Sequence, residues 1–175
     1  DDGRRMVATA YDIRQGLAML PLDGRAQAAT RLTEGASGDI DPDMSPNGDR
    51  LTCSSTRAGD RNIWTMKPDG SDARQVTAGS AIDEWPAWAP DGKKIAFLSD
   101  KSGNYELNVV DQMDGGGVQT YKLTDSPIWV HALTWSPDSK KLSYIDQTLR
   151  LYILDLETKK YKVIDREPFY FFGDS

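Results

Sequence analysis

One short pattern occurs three times intact in this chain and restricts its fold more than any other feature. Thr134-Trp135-Ser136-Pro137-Asp138-Ser139-Lys140-Lys141-Leu142-Ser143-Tyr144-Ile145 reads as a buried strand, a tight polar turn and a second strand of alternating apolar residues. Pro137 fixes φ near the value that the second position of a turn needs, and Asp138 and Ser139 can bond nearby backbone N–H groups. Ala87-Trp88-Ala89-Pro90-Asp91-Gly92-Lys93-Lys94-Ile95-Ala96-Phe97-Leu98 has the same form, as does Asp43-Met44-Ser45-Pro46-Asn47-Gly48-Asp49-Arg50-Leu51-Thr52-Cys53-Ser54. A chain that repeats strand, turn and strand in this way is an array of small sheets.

Laid on this pattern, the chain divides into units of four strands. The second unit predicts strands over Asp39–Met44, Arg50–Ser54, Asn62–Met66 and Arg74–Thr77, with Ser55 to Arg61 as a polar hairpin loop. The third predicts Ile82–Trp88, Lys94–Leu98, Glu106–Val110 and Tyr121–Thr124, with a long, mobile connection from Asp111 to Gln119 that contains three consecutive glycines. The fourth predicts Trp129–Trp135, Lys141–Ile145, Arg150–Leu154 and Tyr161–Ile164. Matching positions recur about every 40–47 residues, the period of a four-stranded propeller blade, and no segment carries a helical period. The first unit lacks its opening strand: Asp2 and Gly3 align with Asp138 and Ser139, Met6 aligns with Leu142, and strands follow at Leu17–Leu20 and Thr30–Thr33. The segment Pro168 to Ser175 fits the missing strand, so the expected fold is an all-β propeller of four blades in one domain, 1–175. Blade 1 is 1–33 plus 168–175, blade 2 is 39–77, blade 3 is 82–124 and blade 4 is 128–164. Pairing the two ends in one blade would close the ring by hydrogen bonds.

Composition excludes some functions. A chain of 175 residues can bury a sizeable core, and 38% hydrophobic with 27% charged residues is ordinary for a soluble protein. The net charge of -6 gives no footprint for nucleic acid or an anionic membrane surface. Cys53 is the only cysteine, so no intrachain disulfide can form, and in a strand pattern it reads as a small buried hydrophobe. No apolar run approaches the roughly 20 residues that cross a bilayer, and the charged start from Asp1 to Arg5 is no signal peptide.

The Trp-Ser-Pro-Asp-Ser and Ala-Pro-Asp-Gly turns, the Ser-x-Arg-x-Gly loop at Ser55 to Gly59, and the strand end Trp64-Thr65-Met66-Lys67-Pro68-Asp69-Gly70 together resemble the TolB-type beta-propeller repeat. That WD-like repeat is shared by TolB, by the propellers of tricorn-type proteases and by those of prolyl-oligopeptidase relatives. Leu133 to Lys140 and Leu151 to Thr158 look most like tricorn-type blades, whereas Asn62 to Asp72 looks more like TolB. The resemblance implies a propeller that binds protein or peptide, periplasmic or secreted if TolB-like and cytoplasmic if tricorn-like. Four blades are fewer than the family's rings usually carry. This fits an engineered or excised propeller, or a larger ring of two copies that exchange their C-terminal strands.

In a propeller the first strand of each blade lines the central channel, whose mouth is the usual place for ligands. The candidate positions are Asp39, Asp41, Asp83, Glu84, Trp85, Trp129, His131, Tyr170 and Asp174. No cofactor is called for. Carboxylates converging from different blades are oxygen ligands suited to Ca²⁺, are equally suited to a basic peptide terminus, and are also what a solvated polar mouth would contain. His131 is the only histidine and has no second histidine at metal spacing, which favours a hydrogen-bonded structural role. Trp64, Trp88 and Trp135 suit packing between blades. Arg57, Asp60 and Lys101 fall in surface hairpins as solvated or locally paired groups. Asp83 and Glu84 are adjacent in a strand and so point to opposite faces, which argues against a paired acid/base role. No Gly-x-Ser-x-Gly elbow or phosphate-cradling loop opening a helix occurs.

These observations favour a non-catalytic scaffold or protein- or peptide-binding module without nucleic acid or membrane insertion. The alternative implied by the resemblance is a substrate-gating propeller of a tricorn-like or prolyl-oligopeptidase-like serine protease, and a channel-metal lyase or hydrolase is a third reading.

Overall fold

The computed structural model describes residues 5–10, 16–21, 29–33, 38–112, 118–121, 131–146 and 150–164, all of them strand, turn or irregular. Four antiparallel sheets follow one another along the chain. The first has strands β1 (Arg5–Ala10), β2 (Gly16–Pro21) and β3 (Thr30–Arg31). The second has β4 (Ile40–Met44), β5 (Leu51–Ala58), β6 (Asp60–Met66) and β7 (Arg74–Gln75). The third has β8 (Asp83–Trp88), β9 (Lys94–Ser99), β10 (Glu106–Asp111) and β11 (Val118–Tyr121). The fourth has β12 (His131–Trp135), β13 (Lys141–Ile145), β14 (Leu151–Asp155) and β15 (Lys160–Ile164). In each sheet neighbours in sequence are neighbours in space, the up-and-down order of a propeller blade. The proposed closure by 168–175 against the start of the chain lies outside the described residues.

The blades stack because their middle strands are apolar on both faces. In β9, Ile95 and Phe97 join Ile63, Trp88 and Val110 in a cluster toward blade 2. The alternate residues Ala96 and Leu98 join Leu107, Leu142, Tyr144 and Leu154 toward blade 4. A period of two thus sends successive side chains into two different cores. A third cluster unites Leu17 of blade 1 with Leu51, Cys53 and Met66 of blade 2. Fully buried Cys53, whose thiol pKa burial pushes up to about 12, is part of this packing.

The repeated turns share one hydrogen-bond scheme. The N–H groups of Gly48, Gly92 and Ser139 donate to the carbonyls of Ser45, Ala89 and Ser136 at 2.8, 2.8 and 2.9 Å. All three residues have left-handed φ, of 73°, 70° and 58°. Asp138 accepts from the Lys140 N–H at 3.1 Å, as its place in the turn predicts. Ser139 departs from expectation. Its hydroxyl reaches across to accept the Asp91 N–H of the neighbouring blade at 3.0 Å.

Two segments differ from the sequence reading. Ser55 to Arg61 is not an open loop: β5 runs to Ala58, β6 starts at Asp60, and a bulge between Ser55 and Ala58 absorbs the polar residues. In blade 3 the outer strand is β11, which pairs Gln119 with Val109, so the connection ends before Val118 and the strand lies nearer the glycines than Tyr121–Thr124. A short polar strand at a blade's rim carries little apolar alternation, so sequence places it poorly. The glycines themselves lie outside the described residues, as does the expected mobility of their connection.

Candidate functional site

The inner strands β4, β8 and β12 all break register at the same place. Shifts fall between Ile40 and Asp43, between Glu84 and Ala87, and between His131 and Thr134. In β4 and β8 a proline without an N–H for the ladder, Pro42 or Pro86, sits within the shift, whereas β12 makes the same shift with Leu133 at that place. The residues before the two prolines, Asp41 and Trp85, hold φ at 53° and 54°. Such conformations cost about 1–3 kcal/mol each for non-glycine residues. The bulges bend the strands and open a groove of about 530 Å³ between the blades, whose described walls include Asp41, Asp43, Trp85, Trp88, Leu133 and Trp135.

Two carboxylates of β4 face blade 3. Asp43 accepts the backbone N–H of Trp88 at 2.6 Å, and Asp41 accepts that of Trp85. Side chains of one blade thereby satisfy amides in the bulged strand of the next. Burial raises the pKa of both groups, and the nearby Glu84 carboxylate raises that of Asp41 further. Glu84 itself accepts from the Tyr105 hydroxyl at 2.8 Å and stands 4.0 Å from the Arg61 guanidinium. Burial, and secondarily this bond to Glu84, pushes the Tyr105 phenol up to about 12.

Blades 3 and 4 meet differently, because Trp85 and Ala87 stand where blade 2 has Asp41 and Asp43. Here the Trp135 indole N–H donates to the Ala87 carbonyl at 3.0 Å. The corresponding indole N–H of Trp88 is buried without an acceptor among the described residues.

The sequence-derived candidates separate. Asp41 lines the groove with Trp85, and Glu84 lies beside Asp41. Asp39 is instead 1% exposed and pairs at 3.0 Å with Arg57, whose guanidinium lies 5.0 Å from the centre of the Trp64 ring. Arg57 is therefore locally paired but turned inward. Asp83 aligns with Asp39 and is buried at 5% exposure, while Glu84 is half-buried toward Tyr105, so the adjacent pair does diverge. His131 lies in β12 opposite Ile145. Trp129, Tyr170 and Asp174 lie outside the described residues. Among the described residues no three His, Cys, Asp or Glu side chains gather as a metal-holding group. Sequence reasoning passed over Asp43, although the aligned Asp41-Pro42-Asp43 and Trp85-Pro86-Ala87 triplets place a proline inside a strand and so signal a bulge.

Consecutive four-stranded sheets with inner strands around a common groove define a β-propeller. A family model described as PD40, TolB beta propeller domain, matches residues 2–111, and the chain belongs to that family. It is 38% identical over 111 residues to a protein TolB homolog of Chlorobium luteolum, covering 63% of this chain and 24% of the relative. It is 32% identical over 129 residues to the uncharacterized protein Atu1656 of Agrobacterium fabrum, covering 66% and 42%. It is 30% identical over 108 residues to the uncharacterized peptidase YuxL of Bacillus subtilis, covering 58% and 16%. The chain thus spans less than half the length of each of these relatives. Among solved structures, TolB from Acinetobacter baumannii aligns with a TM-score of 0.78 at 22% identity, over 95% of this chain and 41% of that one. A putative TolB from Agrobacterium tumefaciens gives 0.76 at 20%, over 93% and 61%. At these identities the structural likeness concerns the fold.

Proposed function

We propose that this propeller is a non-catalytic module that binds a protein or peptide segment in the groove of its inner strands. The observation that carries this reading is the groove itself, about 530 Å³ in size, with indoles and prolines as walls and two partly desolvated carboxylates at one side. Binding pockets are typically about 300–1,000 Å³, mostly apolar, with a few placed polar groups. Trp85, half-buried in the groove wall, supplies a stiff aromatic contact of the kind that dominates binding energy at interfaces, while Trp88 and Trp135 back the wall from the core. The strained bulges fix Asp41 and Trp85 in advance, which reduces the ordering cost of association.

A second reading is favoured by the identity with the peptidase YuxL: a propeller of this kind steering peptides toward a serine protease active site carried elsewhere. One experiment separates the two. A mixture of unstructured peptides is incubated with the protein, and bound and cleaved species are followed by mass spectrometry. The module reading expects retention of intact peptides. Cleavage that tracks the concentration of the purified chain and co-elutes with it in size-exclusion chromatography would sink it. Stimulated or restricted cleavage only when a peptidase domain is added would favour the gating reading.

A further inference from the structure

We propose that the groove receives the arginine side chain of a bound peptide, with the guanidinium against the carboxylate of Asp41 and beside Trp85 of β8. The inference rests on the peptide-binding reading above and specifies the chemistry of the occupant.

Charge complementarity is the first argument. The described residues lining the groove include two carboxylates, Asp41 and Asp43, and no lysine or arginine. Asp43 is committed to the Trp88 N–H at 2.6 Å. Asp41 is held less completely, by the Trp85 N–H and by a Ser54 hydroxyl at 3.5 Å, although an ionised carboxylate offers about four lone-pair sites. Arg61, whose charge acts on Asp41, does not line the groove and stands 4.0 Å from Glu84. Burial and the proximity of Glu84 disfavour the charged form of Asp41 and outweigh the Trp85 and Ser54 hydrogen bonds and the Arg61 charge that favour it, so a further cation brought to it relieves an unfavourable field.

The second argument is an internal precedent. In blade 2 the Arg57 guanidinium lies 5.0 Å from the Trp64 ring centre while bonding Asp39 at 3.0 Å. The fold therefore already builds a site in which one guanidinium meets an indole face and a carboxylate together. The groove repeats a carboxylate, Asp41, and a partly exposed tryptophan, Trp85, without an arginine in its described lining. Guanidinium suits this better than ammonium, because it is planar, weakly hydrated and able to stack and to bond a carboxylate through two parallel N–H groups.

The test uses blocked tetrapeptides, acetyl-Gly-Gly-Arg-Gly-amide and its analogues with citrulline or glutamate in place of arginine, titrated calorimetrically into the full chain at low salt. Citrulline keeps the shape and loses the charge. The expected result is that the arginine peptide binds at least tenfold more tightly than the citrulline peptide, and that Asp41→Asn weakens it at least fivefold. Asparagine tolerates left-handed φ, so this variant keeps the backbone, and its melting curve verifies the fold. Equal binding of the arginine and citrulline peptides, or an unchanged affinity in Asp41→Asn, overturns the inference. If a random peptide mixture still binds in that case, the module reading stands without it. If no peptide of any kind binds, both fail. Calcium chloride alone forms a separate arm: stoichiometric Ca²⁺ binding abolished by Asp41→Asn, with no effect of the arginine peptide on it, assigns the carboxylate to a metal and also overturns the inference.

Discussion

Asp43 shows how one residue joins two blades. Its carboxylate takes the Trp88 amide at 2.6 Å, an amide in the strand whose ladder is interrupted at Glu84 and Ala87. Asp43→Ala leaves that N–H unpaired and is expected to destabilise by about 1–3 kcal/mol in denaturant titration, whereas Asp43→Asn keeps an acceptor and spares the desolvated charge. The pH dependence follows from the sign of the shift. The folded pKa of Asp43, like that of Asp41, is raised above the ordinary 3.8, so the native state holds these protons more tightly than the unfolded chain. Their contribution to stability therefore falls as pH rises from 3.8 through the raised values. Asp69, Asp72, Asp138 and Asp155 act oppositely: hydrogen bonds lower their pKa, so their contribution is present above 3.8 and is lost as pH falls through the lowered values. Comparing variant with parent isolates the first effect. Asp43→Asn is expected to melt at or above the parent's temperature at neutral pH, with the advantage shrinking as the pH is lowered through the raised value toward 3.8 and level below it. An advantage that grew in acid would contradict the assignment. None of this was legible from residue identity, since whether an aspartate in an inner strand faces solvent or a neighbouring blade's amide depends on the bulge.

At the scale of elements, turns were the most legible part. Pro-Asp-Gly and its variants specify backbone geometry directly, and the hydrogen-bond scheme at Ser45, Ala89 and Ser136 follows. The turn at Lys67 to Gly70 adds a tertiary constraint. Gly70 has φ of 84°, and a Cβ there would stand 2.1 Å from the carbonyl oxygen of Leu32 in blade 1. Gly70→Ala is expected to cost more than the roughly 1–3 kcal/mol of backbone strain alone. Gly59→Ala, with φ of 107° and nothing within 4 Å, meets the strain without the collision and should be milder. Equal destabilisation of the two in urea unfolding would refute the contact. Another repeated device has no signature in residue identity: the hydroxyls of Thr33 and Thr77 accept the N–H groups of Leu17 and Ile63 at 3.0 and 2.9 Å, completing blades where the outer strands have only two residues. The misread hairpin at Ser55 to Arg61 has a similar origin, because polar residues signal a loop even when a bulge keeps them in strands.

Across the whole molecule, the repeat spacing gave the blade count and order, and the two-faced middle strands explain why the sheets stack. The spacing could not reveal that the interfaces differ in chemistry. Blades 3 and 4 share a large core that includes the stacked rings of Tyr144 and Tyr152, 5.0 Å apart, and the Trp135 bond to Ala87. Blades 2 and 3 share a smaller one bordered by Asp41 and Asp43. The groove lies where these two kinds of interface meet, and it is the centre of the functional account. Its most direct test is the chemical shift of each indole N–H in ¹⁵N-labelled protein while an arginine-containing peptide is added. A saturable shift at Trp85 with an unmoved Trp64, which belongs to the blade 1–2 core, is the predicted result. An unmoved Trp85, or a saturable shift at Trp64 in its place, would contradict it.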